Sequence, residues 1–494
     1  MQKKHILLTI TLLFLFLNSL QSQPKREVRA VWITTAYSLD WPQTLARTPH
    51  SRAQQQREMI QLLDYLKAAN INTILFQVRG RGDATYPSSY EPFSTALTGN
   101  INGDPGYDPL QFVVEECHKR GMECHAWVVA IPMGSVSQQK KLGNSSPTKR
   151  VPQVCVRYKS AWYLNPGHPN SKYYLADIVK ELVTRYDLDG IHFDYLRYPN
   201  GAPNFPDIKE YKAYGKGKDL AEWRRDNLTQ ILAQAYKEIK AIKPWVKVST
   251  CPVGKHSDTN RYPSKGWNAF YEVHQDVFKW VELGIQDQIY PMMYHQGNSF
   301  YPFALDWQEN SQGKQVIAGL GIYFLDDSEG GWPAEEIQRQ LYFARDNNLA
   351  GQAFFRAQFL VNDTKGVYSS LKNKHYKYPA LIPPITGCKP EDLPKQPTHI
   401  EVLINKDCAY IHWQKPANSK QDVKYVLYKS PTYPVDTSDP KNIVATYIQD
   451  TVYTYTPVIS LDKYAYYAVT AIDRYGNESE ATQLKSKRDI EIEE

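Results

Sequence analysis

The strongest constraint on the fold is a series of eight short β-type runs that alternate with helical patterns over roughly 360 residues. A closed barrel of eight strand–helix units requires this pattern. The competing interpretation is a doubly wound open sheet, but no glycine-rich phosphate fingerprint follows the first strand, which disfavours its nucleotide-binding version. We therefore predict an α/β fold, a (β/α)8 TIM barrel. The predicted strands are 29–35, 71–79, 123–130, 190–195, 246–251, 286–294, 316–323 and 351–356, and the predicted helices include 51–69, 109–120, 171–186, 220–242, 269–283 and 334–347.

A second domain follows a change of composition near residue 380, where prolines and a glycine indicate a linker. Seven short β-type runs then predict an all-β sandwich. The segments AYIHWQKP, VKYVLYKS and YYAVTAIDRYGNES resemble a fibronectin type III module, with Trp413 and Tyr467 at its core positions. We expect a spacer or docking module. The predicted domains are a barrel over 23–382, a linker over 383–394, an immunoglobulin-like sandwich over 395–485 and a charged tail over 486–494.

The first residues are typical of a signal peptide. Lys3 and Lys4 precede an apolar run, 6–17, that is too short to cross a bilayer comfortably. We predict a signal over 1–22, export to the periplasm or the extracellular space, and no stable membrane insertion. Export permits disulfides, but the cysteines show no CxxC or metal spacing. We expect buried free thiols or one or two structural bridges among the six cysteines, 117, 124, 155, 251, 388 and 408.

Composition excludes several classes of protein. Hydrophobic residues make up 42% and charged residues 22% of the chain, which excludes a mostly disordered or collagen-like protein. The net charge of +6 is spread along the whole length and does not predict nucleic-acid binding. The 36 tyrosines and 11 tryptophans suit the flat faces of sugars, but they also suit cores and sheets.

The fourth predicted strand, DGIHFDYLRYP, carries the first candidate for catalysis. Side chains alternate along a barrel strand, so His192 and Asp194 share the inward face. Ile191, Phe193 and Tyr195 share the other face, which suits packing against helices. An inward carboxylate is costly unless it is paired, hydrogen-bonded or functional. An ion pair with Arg79 or Arg197 is the structural alternative. We predict that Asp194 is catalytic at the C-terminal mouth of the barrel.

Other polar and aromatic side chains end neighbouring predicted strands, close to two long segments, 131–170 and 196–219, that we expect to build the mouth. Singly, each could be a core residue. Together, aromatic platforms, amide and guanidinium donors and carboxylates form a sugar-binding set. The predicted substrate-binding residues are Trp32, Gln77, Arg79, His125, Trp127, His192, Arg197, Tyr294 and Arg356.

Several separated motifs also resemble the glycosyl-hydrolase-like family 10 group of secreted bacterial proteins. They occur in order over roughly residues 25–385. The resemblance implies a TIM barrel that hydrolyses glycosidic bonds in bacterial cell-wall glycan or another polysaccharide. The motifs are REVRAVWITT, NTILFQVRGRGDATYPSSYEP, LTG, YDPLQFVVEECHKRGMECHAWVV, WYLNPGHP and YDLDGIHFDYLRYP, and the residues they carry over are Arg79, Asp83, His125, Trp127, His192, Asp194 and Arg197.

The fourth strand is also similar to the signature of family 18 chitinases. That family has a catalytic Glu where this chain has Leu196, and an Asp where it has His192. A chitinase mechanism that depends on this Glu is therefore not expected.

Glycoside hydrolysis usually needs two carboxyl groups. We predict Asp194 as acid or nucleophile and Asp83 as its partner, with Asp40, Asp326 and Asp327 in reserve. No Glu ends a predicted strand. A 2-acetamido group on the sugar could replace the second carboxylate, and the sequence does not distinguish retention from inversion.

Two further interpretations remain open. The barrel could bind glycan without cleaving it, with the sandwich as a docking arm. A metal-dependent hydrolase could use His192, Asp194 and His295, but no HExxH or CxxC spacing supports it. We expect no cofactor and no metal, a polysaccharide or peptidoglycan glycan as partner, and no nucleic acid. The oligomeric state stays open.

Overall fold

The computed structural model describes residues 23–200, 204–261, 267–385, 393–416, 422–484 and 490–492. The predicted signal peptide, Cys388, linker residues 386–392 and tail residues 485–489 and 493–494 lie outside these ranges. Over the described residues, no helix combines the length and the apolarity that a bilayer crossing needs. The five described cysteines are free thiols, as one of the two sequence-based alternatives predicts.

Eight parallel strands close into a barrel in chain order, so the predicted TIM barrel is confirmed. Each strand pairs with its sequence neighbours, and the first pairs with the last through Val28 beside Gly351. Almost every strand residue is buried, because helices cover one face and side chains fill the other. The strands are β1 Val28–Ile33, β2 Thr73–Arg79, β3 Glu123–Val129, β4 Gly190–Asp194, β5 Lys247–Thr250, β6 Gln288–Ile289, β7 Gln315–Leu320 and β8 Gly351–Phe354.

Helices surround the strands, seven of them longer ones within the described ranges, and local caps define where several of them begin. Thr48, Asp108 and Asp219 each accept a backbone N–H of the first turn of the helix that follows them. The helices are α1 Pro49–Ala68, α2 Pro109–Lys119, α3 Ser171–Arg185, α4 Leu220–Ile242, α5 Val277–Glu282, α6 Tyr301–Glu309 and α7 Ala334–Asp346. After β8, shorter helices Ala357–Val361 and Val367–Ser370 and a π-helical turn, Leu371–His375, complete the ring.

The predicted helix over 269–283 is wrong in its continuity. Two short helices, Ala269–Glu272 and α5, replace it. His274 has a left-handed φ of 60°, which breaks the helix, and the Asp276 side chain then caps the start of α5 by accepting the Lys279 N–H. Helix α6 was not predicted.

The long segments after β3 and β4 carry structure of their own. Pro132–Ser135, Cys155–Tyr158 and Ala161–Leu164 form a small antiparallel sheet. Short helices Val136–Leu142, Pro147–Arg150 and Ile208–Tyr214 accompany it on the same side of the barrel. Further single turns are Ala36–Ser38, Thr95–Thr98, Gly143–Ser145, Pro152–Val154, Gly297–Ser299, Ile322–Leu325, Thr364–Gly366, Pro440–Asn442 and Ile459–Asp462.

The predicted C-terminal sandwich is present as two four-stranded sheets around a core that includes Trp413 and Tyr467. Its resemblance to a fibronectin type III module stays a prediction. Part of the predicted tail is wrong, since Ile490–Ile492 pairs parallel with Val402–Ile404. The strands are β9 Thr398–Ile404, β10 Ala409–Gln414, β11 Val423–Ser430, β12 Ile443–Ile448, β13 Val452–Tyr455, β14 Tyr466–Asp473, β15 Thr482–Gln483 and β16 Ile490–Ile492, in the orders β13-β10-β9-β16 and β12-β11-β14-β15.

The sandwich packs on the N-terminal end of the barrel. Val28 of β1 belongs to the same apolar cluster as Val426 and Tyr428 of β11. The hydroxyl of Tyr447 accepts a hydrogen bond from the Ile382 N–H at 2.8 Å. The opposite end, where the βα loops meet, is therefore left clear of the sandwich.

Candidate active site

Asp194 is held at the last position of β4, at the C-terminal mouth. The Trp127 indole Nε1 donates to its Oδ2 at 3.1 Å, and the Tyr195 N–H donates to its Oδ1 at 2.6 Å. The residue is only 5% exposed. The strand pairing explains the contact with Trp127. Trp127 pairs with His192 on the neighbouring strand, and Asp194 lies two residues further along on the same inward face.

Burial raises the pKa of Asp194 above the ordinary value for aspartic acid. The charge of Arg197 and hydrogen bonds from Cys251, Tyr195 and Trp127 oppose this rise without cancelling it. The proton is therefore retained to higher pH than in a solvated aspartate, as a proton donor requires.

Aromatic rings from β6 to β8 form a wall beside this carboxyl group. Tyr294 stacks on Phe355 with ring centroids 5.7 Å apart, and Tyr323 meets Tyr294 edge-on. The carboxyl of Asp194 contributes to raising the pKa of Tyr294, after burial and Cys251, which places the phenol near the acid. Phe324 stacks on Trp332 further out. Such rings can pack against the apolar faces of sugars.

The opposite rim carries two arginines that stack on exposed aromatic rings. The Arg197 guanidinium lies 4.5 Å from the Tyr195 ring centroid and 5.1 Å from that of Trp267. The Arg81 guanidinium lies 3.9 Å from the Tyr37 ring centroid. Tyr37 is 72% exposed.

Arg79 is buried and committed to the protein. It forms a two-pronged salt bridge with Glu91 at 2.7 and 2.8 Å, and its Nη1 donates to the carbonyls of Val129 and Ala130. Tyr174 donates its hydroxyl to the same carboxylate at 2.9 Å. Arg79 therefore fixes the end of β3, next to Asp194, and is not the partner of Asp194.

His192 and Trp32 lie inside the barrel, below the mouth. The Trp32 Nε1 donates to His192 Nε2 at 3.1 Å, so the other ring nitrogen carries the proton and donates to Ser249 Oγ at 2.8 Å. Burial lowers the pKa of His192 well below its ordinary value, and the ring is neutral. Tyr290 meets this imidazole edge-on.

His125 lies deeper still, one pleat below Trp127, where its Nε2 contacts Glu123 at 2.9 Å. Its side chain is fully buried. For Trp32, Arg79, His125 and His192, the contacts that the structure shows are internal, and sugar binding by these residues stays a prediction.

Gln77 and Arg356 support the loops of the mouth. The Gln77 Oε1 accepts the backbone N–H groups of Thr35 and Ala36 at 3.1 and 2.8 Å. Arg356 pairs with Asp40 at 2.7 Å. Asp40 also accepts two backbone N–H groups, which makes this reserve carboxylate a structural anchor.

The other predicted carboxylates differ in their positions. Asp83 is buried in the loop after β2, and its Oδ1 accepts the Arg81 N–H at 2.9 Å. Asp326 caps Ser328 at the surface, and Asp327 pairs with Lys365. The role of Asp83 as the second carboxylate stays a prediction.

The metal-site alternative lacks a ligand cluster. Across the ranges that the structure describes, no three His, Cys, Asp or Glu side chains converge in a way that would hold a metal ion. The backbone carbonyl of His295 accepts a hydrogen bond from the Gln340 side chain at 2.9 Å.

Several residues of the site were missed by the sequence reasoning. Cys251 directly follows β5 beside Asp194, and Trp267 and Tyr323 line the rim. The predicted packing of Tyr195 against helices is wrong, because the chain leaves β4 at Asp194 and the Tyr195 ring lies exposed at the rim against Arg197. The alternation that selected Asp194 would also have selected Cys251, but no sequence signal pointed to Trp267 or to the Glu91 partner of Arg79.

A cavity of about 350 Å³ lies on the same side of the barrel, at the start of α3 and α4. The motif WYLNPGHP supplies part of its lining, including Gly167 and His168. A Cβ on Gly167 would lie 2.5 Å from the Trp223 ring, so only glycine allows this close approach.

A closed (β/α)8 barrel with a buried carboxyl group and aromatic walls at its C-terminal mouth defines a carbohydrate-active class of enzyme. Comparisons with known proteins agree with this class. The model of the family "Glycosyl hydrolase-like 10" matches residues 27–324. The chain is 31% identical over 496 residues to glycosyl hydrolase YngK of Bacillus subtilis (strain 168), covering 94% of each. The chain therefore belongs to the glycosyl hydrolase-like 10 family, and it is a glycosyl hydrolase.

Two further similarities cover less of this chain. Glycosyl hydrolase DigH of Escherichia coli (strain K12) is 36% identical over 296 residues, which covers 55% of this chain and 66% of that protein. The PgaB (BpsB) glycoside hydrolase domain from Bordetella bronchiseptica matches with a TM-score of 0.49 at 13% identity, covering 70% of this chain and 98% of that domain.

Proposed function

We propose that this hydrolase is exported and cleaves O-glycosidic bonds in bacterial cell-wall glycan or another polysaccharide, with Asp194 as the general acid. The observation that carries the proposal is the burial of Asp194 at the mouth, which raises its pKa while Trp127 and Tyr195 fix both carboxyl oxygens. Export rests on the basic and apolar pattern of residues 1–22.

The reaction then follows from the chemistry of the mouth. Asp194 gives its proton to the bridging oxygen as the bond from that oxygen to the anomeric carbon breaks. A second carboxylate either activates water or attacks the anomeric carbon, and Asp83 is our candidate. In a substrate with a 2-acetamido group, the acetamido oxygen can take this second role. Tyr294 and Phe355 would hold the sugar ring against the acid.

The test is reducing-end release from purified peptidoglycan glycan strands and from a panel of other polysaccharides. We expect Asp194→Asn to lower kcat by about 10²–10⁴-fold, the range for a lost general acid. Asp83→Asn should also lower kcat if it is the second carboxylate. Asp326→Asn is the matched control, because the Asp326 carboxylate lies at the surface and accepts hydrogen bonds from Ser328 in its own loop.

Two results would overturn the proposal. Full activity of Asp194→Asn would remove Asp194 from the chemistry. Tight glycan binding by the unmodified protein with no release from any polysaccharide would favour the non-catalytic, glycan-binding interpretation.

A further inference from the structure

The barrel and the sandwich enclose a second cavity, of about 530 Å³, at the end opposite the mouth. The ends of α1 and α2 line its barrel side, and residues 444–450 and 452–454 line its sandwich side. These residues belong to β12, β13 and the turn between them. Both strands are at the edges of their sheets, so each has an outer side that pairs with no other described strand. The volume is in the range of small-molecule sites.

Lys67, in the last turn of α1, lines this cavity without a counter-ion. Its ammonium makes no hydrogen bond or salt bridge to any residue that the structure describes. The two other cations on the barrel side are paired. Lys119 contacts Glu116 at 2.6 Å, and Arg120 contacts the same carboxylate and Asp64, each at 2.7 Å.

Other lysines at this end of the barrel show what an internal partner looks like. Lys240, near the end of α4, pairs with Asp287 at 2.7 Å, and Lys247, at the start of β5, pairs with Glu123. A cation that is removed from water without such a partner is costly. Lys67 therefore has a position that the interior of the protein does not compensate.

The charges beside Lys67 add to this cost. Burial, and then the charge of Arg29, lower the pKa of Lys67 to about 8, and no carboxylate of the described residues opposes the shift. Arg29 shares Glu27 with Arg345, and its Nη2 is buried without a hydrogen-bond partner among the described residues. Three cations and one carboxylate leave a net positive charge next to the cavity.

We propose that this cavity binds an oxyanion, the phosphate or carboxylate group of a small molecule, with Lys67 as its counter-ion and the edge strands β12 and β13 as further donors. A compact ammonium attracts an oxyanion as a point charge, and N–H groups at a sheet edge can complete such a site. The ligand contacts both domains, so its binding stabilises their junction. The site is remote from the mouth and does not depend on the proposed hydrolysis.

The structural alternative is that Lys67 only offsets the dipole of α1, since it lies in the last turn of that helix. In that role the ammonium stabilises the fold without a ligand, and Lys67→Met should lower the melting temperature. In the proposed role the charge is costly until an anion binds. Lys67→Met should then melt at a higher temperature than the unmodified protein in anion-free buffer at pH 7.

The binding test is isothermal titration calorimetry of the full protein with sulfate and with acetate at constant ionic strength. Sulfate keeps its charge above neutral pH and represents phosphate, whereas acetate represents a carboxylate. We expect saturable binding of at least one anion at pH 7. Binding should be roughly tenfold weaker at pH 9.5, where Lys67 is largely neutral. The anion that binds identifies which group the site takes.

Other titratable groups of the cavity stay the same in every variant. Burial raises the pKa of Tyr447 and Tyr453, so these phenols are neutral between pH 7 and pH 9.5. Any remaining pH effect common to all variants is subtracted by comparison with Lys67→Met. The other charged or titratable groups around Lys67 are His118, Lys119 and Arg120 of the α2 end, Asp64 of α1, Arg29 of β1 and Asp450 of the sandwich.

Two variants of Lys67 separate its charge from its packing. We expect Lys67→Met to bind sulfate or acetate roughly 10-fold more weakly at pH 7 and to lose the pH dependence. Lys67→Arg keeps a charge at every pH, so its binding should persist at pH 9.5. Lys119→Met is the matched control, because Lys119 lines the same cavity but pairs with Glu116, and its affinity should change by less than about 2-fold.

Three results would overturn the inference. The first is no saturable binding of either anion by the unmodified protein at pH 7. The second is equal affinity in Lys67→Met and the unmodified protein, which would leave Lys67 with the helix-dipole role alone. The third is a Lys67→Arg variant that binds no better than Lys67→Met, which would show that the charge at this position does not hold the anion. Each of these results leaves the role of Asp194 untouched.

Discussion

Asp194 is a residue whose position costs the protein stability. Its pKa in the folded protein is raised above 3.8, so the folded state holds the proton more tightly than the unfolded state does. Stability is therefore lost as pH rises from 3.8 through the folded pKa. We expect Asp194→Asn to be more stable than the unmodified protein at pH 8, with a difference that narrows toward pH 4, measured by urea unfolding.

Asp326→Asn provides a control of opposite sign. Hydrogen bonds from Ser328 lower the pKa of Asp326, so its charge contributes stability above that pKa. This variant should be no more stable than the unmodified protein at pH 8. A difference for Asp194→Asn that grows on acidification would contradict the raised pKa.

Trp127 is predicted here to position Asp194 rather than to act chemically. Its indole N–H donates to the carboxyl and favours the charged form. Trp127→Phe keeps a ring but removes that donor, so the alkaline limb of the kcat profile should move to higher pH. Trp280→Phe is the matched control, since Trp280 donates to Thr229 away from the mouth. An unchanged limb in Trp127→Phe would show that the hydrogen bond does not tune the acid.

The sequence identified the faces of these residues but not their depth. Two-residue alternation placed His125 with Trp127 and His192 with Asp194, and the structure agrees. One pleat separates a position at the mouth from one inside the barrel, however, and a single sequence does not show where the strand meets solvent. The sequence therefore could not show that His125 and His192 lie inside the barrel rather than at its mouth, and their predicted contacts with sugar stay predictions.

The end of β3 is fixed by the buried pair of Arg79 and Glu91. Removing one partner leaves the other charge buried without compensation, so Glu91→Gln should destabilise the protein by about 3–5 kcal/mol in urea unfolding. The carbonyls of Val129 and Ala130 would lose their support beside Asp194, and kcat should fall as well.

Arg261 and Glu309 form the same two-pronged pair at the surface, where both side chains are about half exposed. Glu309→Gln should therefore change stability much less. A Glu91→Gln variant as stable as Glu309→Gln would show that the buried pair does not fix β3.

Element types were predictable where the hydrophobic period was clear. Helix α4 matches its predicted bounds, and each barrel strand lies within or close to its predicted range. Helix α6, YPFALDWQE, was missed because a run of 9 residues is too short for hydrophobic spacing to identify its type, although Phe303, Ala304 and Trp307 share its buried face. The strand Ile490–Ile492 was missed because alternating charges in IEIEE indicated a solvated tail.

At the scale of the whole molecule, the sandwich closes the end of the barrel opposite the mouth, and Glu478 links the two parts. Its carboxylate accepts Lys25 at 2.6 Å and Arg26 at 3.1 Å from the barrel, and the Tyr428 hydroxyl from the sandwich. Burial opposes the charged form of Glu478, but the contacts with Lys25, Tyr428 and Arg26 lower its pKa below 4.5. The stability that it contributes is therefore complete above pH 4.5 and is lost as pH falls through the folded pKa.

We expect Glu478→Gln to lower the free energy of unfolding by about 1.5–3 kcal/mol at pH 7, the range for a hydrogen bond to a charged group. Because the lost contacts join the barrel to the sandwich, we expect calorimetry to show one transition for the unmodified protein and two for Glu478→Gln. Glu480→Gln, at an exposed position two residues further along the chain, should leave a single transition. Unchanged cooperativity in Glu478→Gln would mean that the apolar contacts of Val28, Val426 and Tyr428 suffice to couple the domains.

Since the sandwich lies at the N-terminal end of the barrel, folded Glu478→Gln should retain the kcat of the unmodified protein on glycan. Retained kcat would separate the structural role of Glu478 from the chemistry of the mouth.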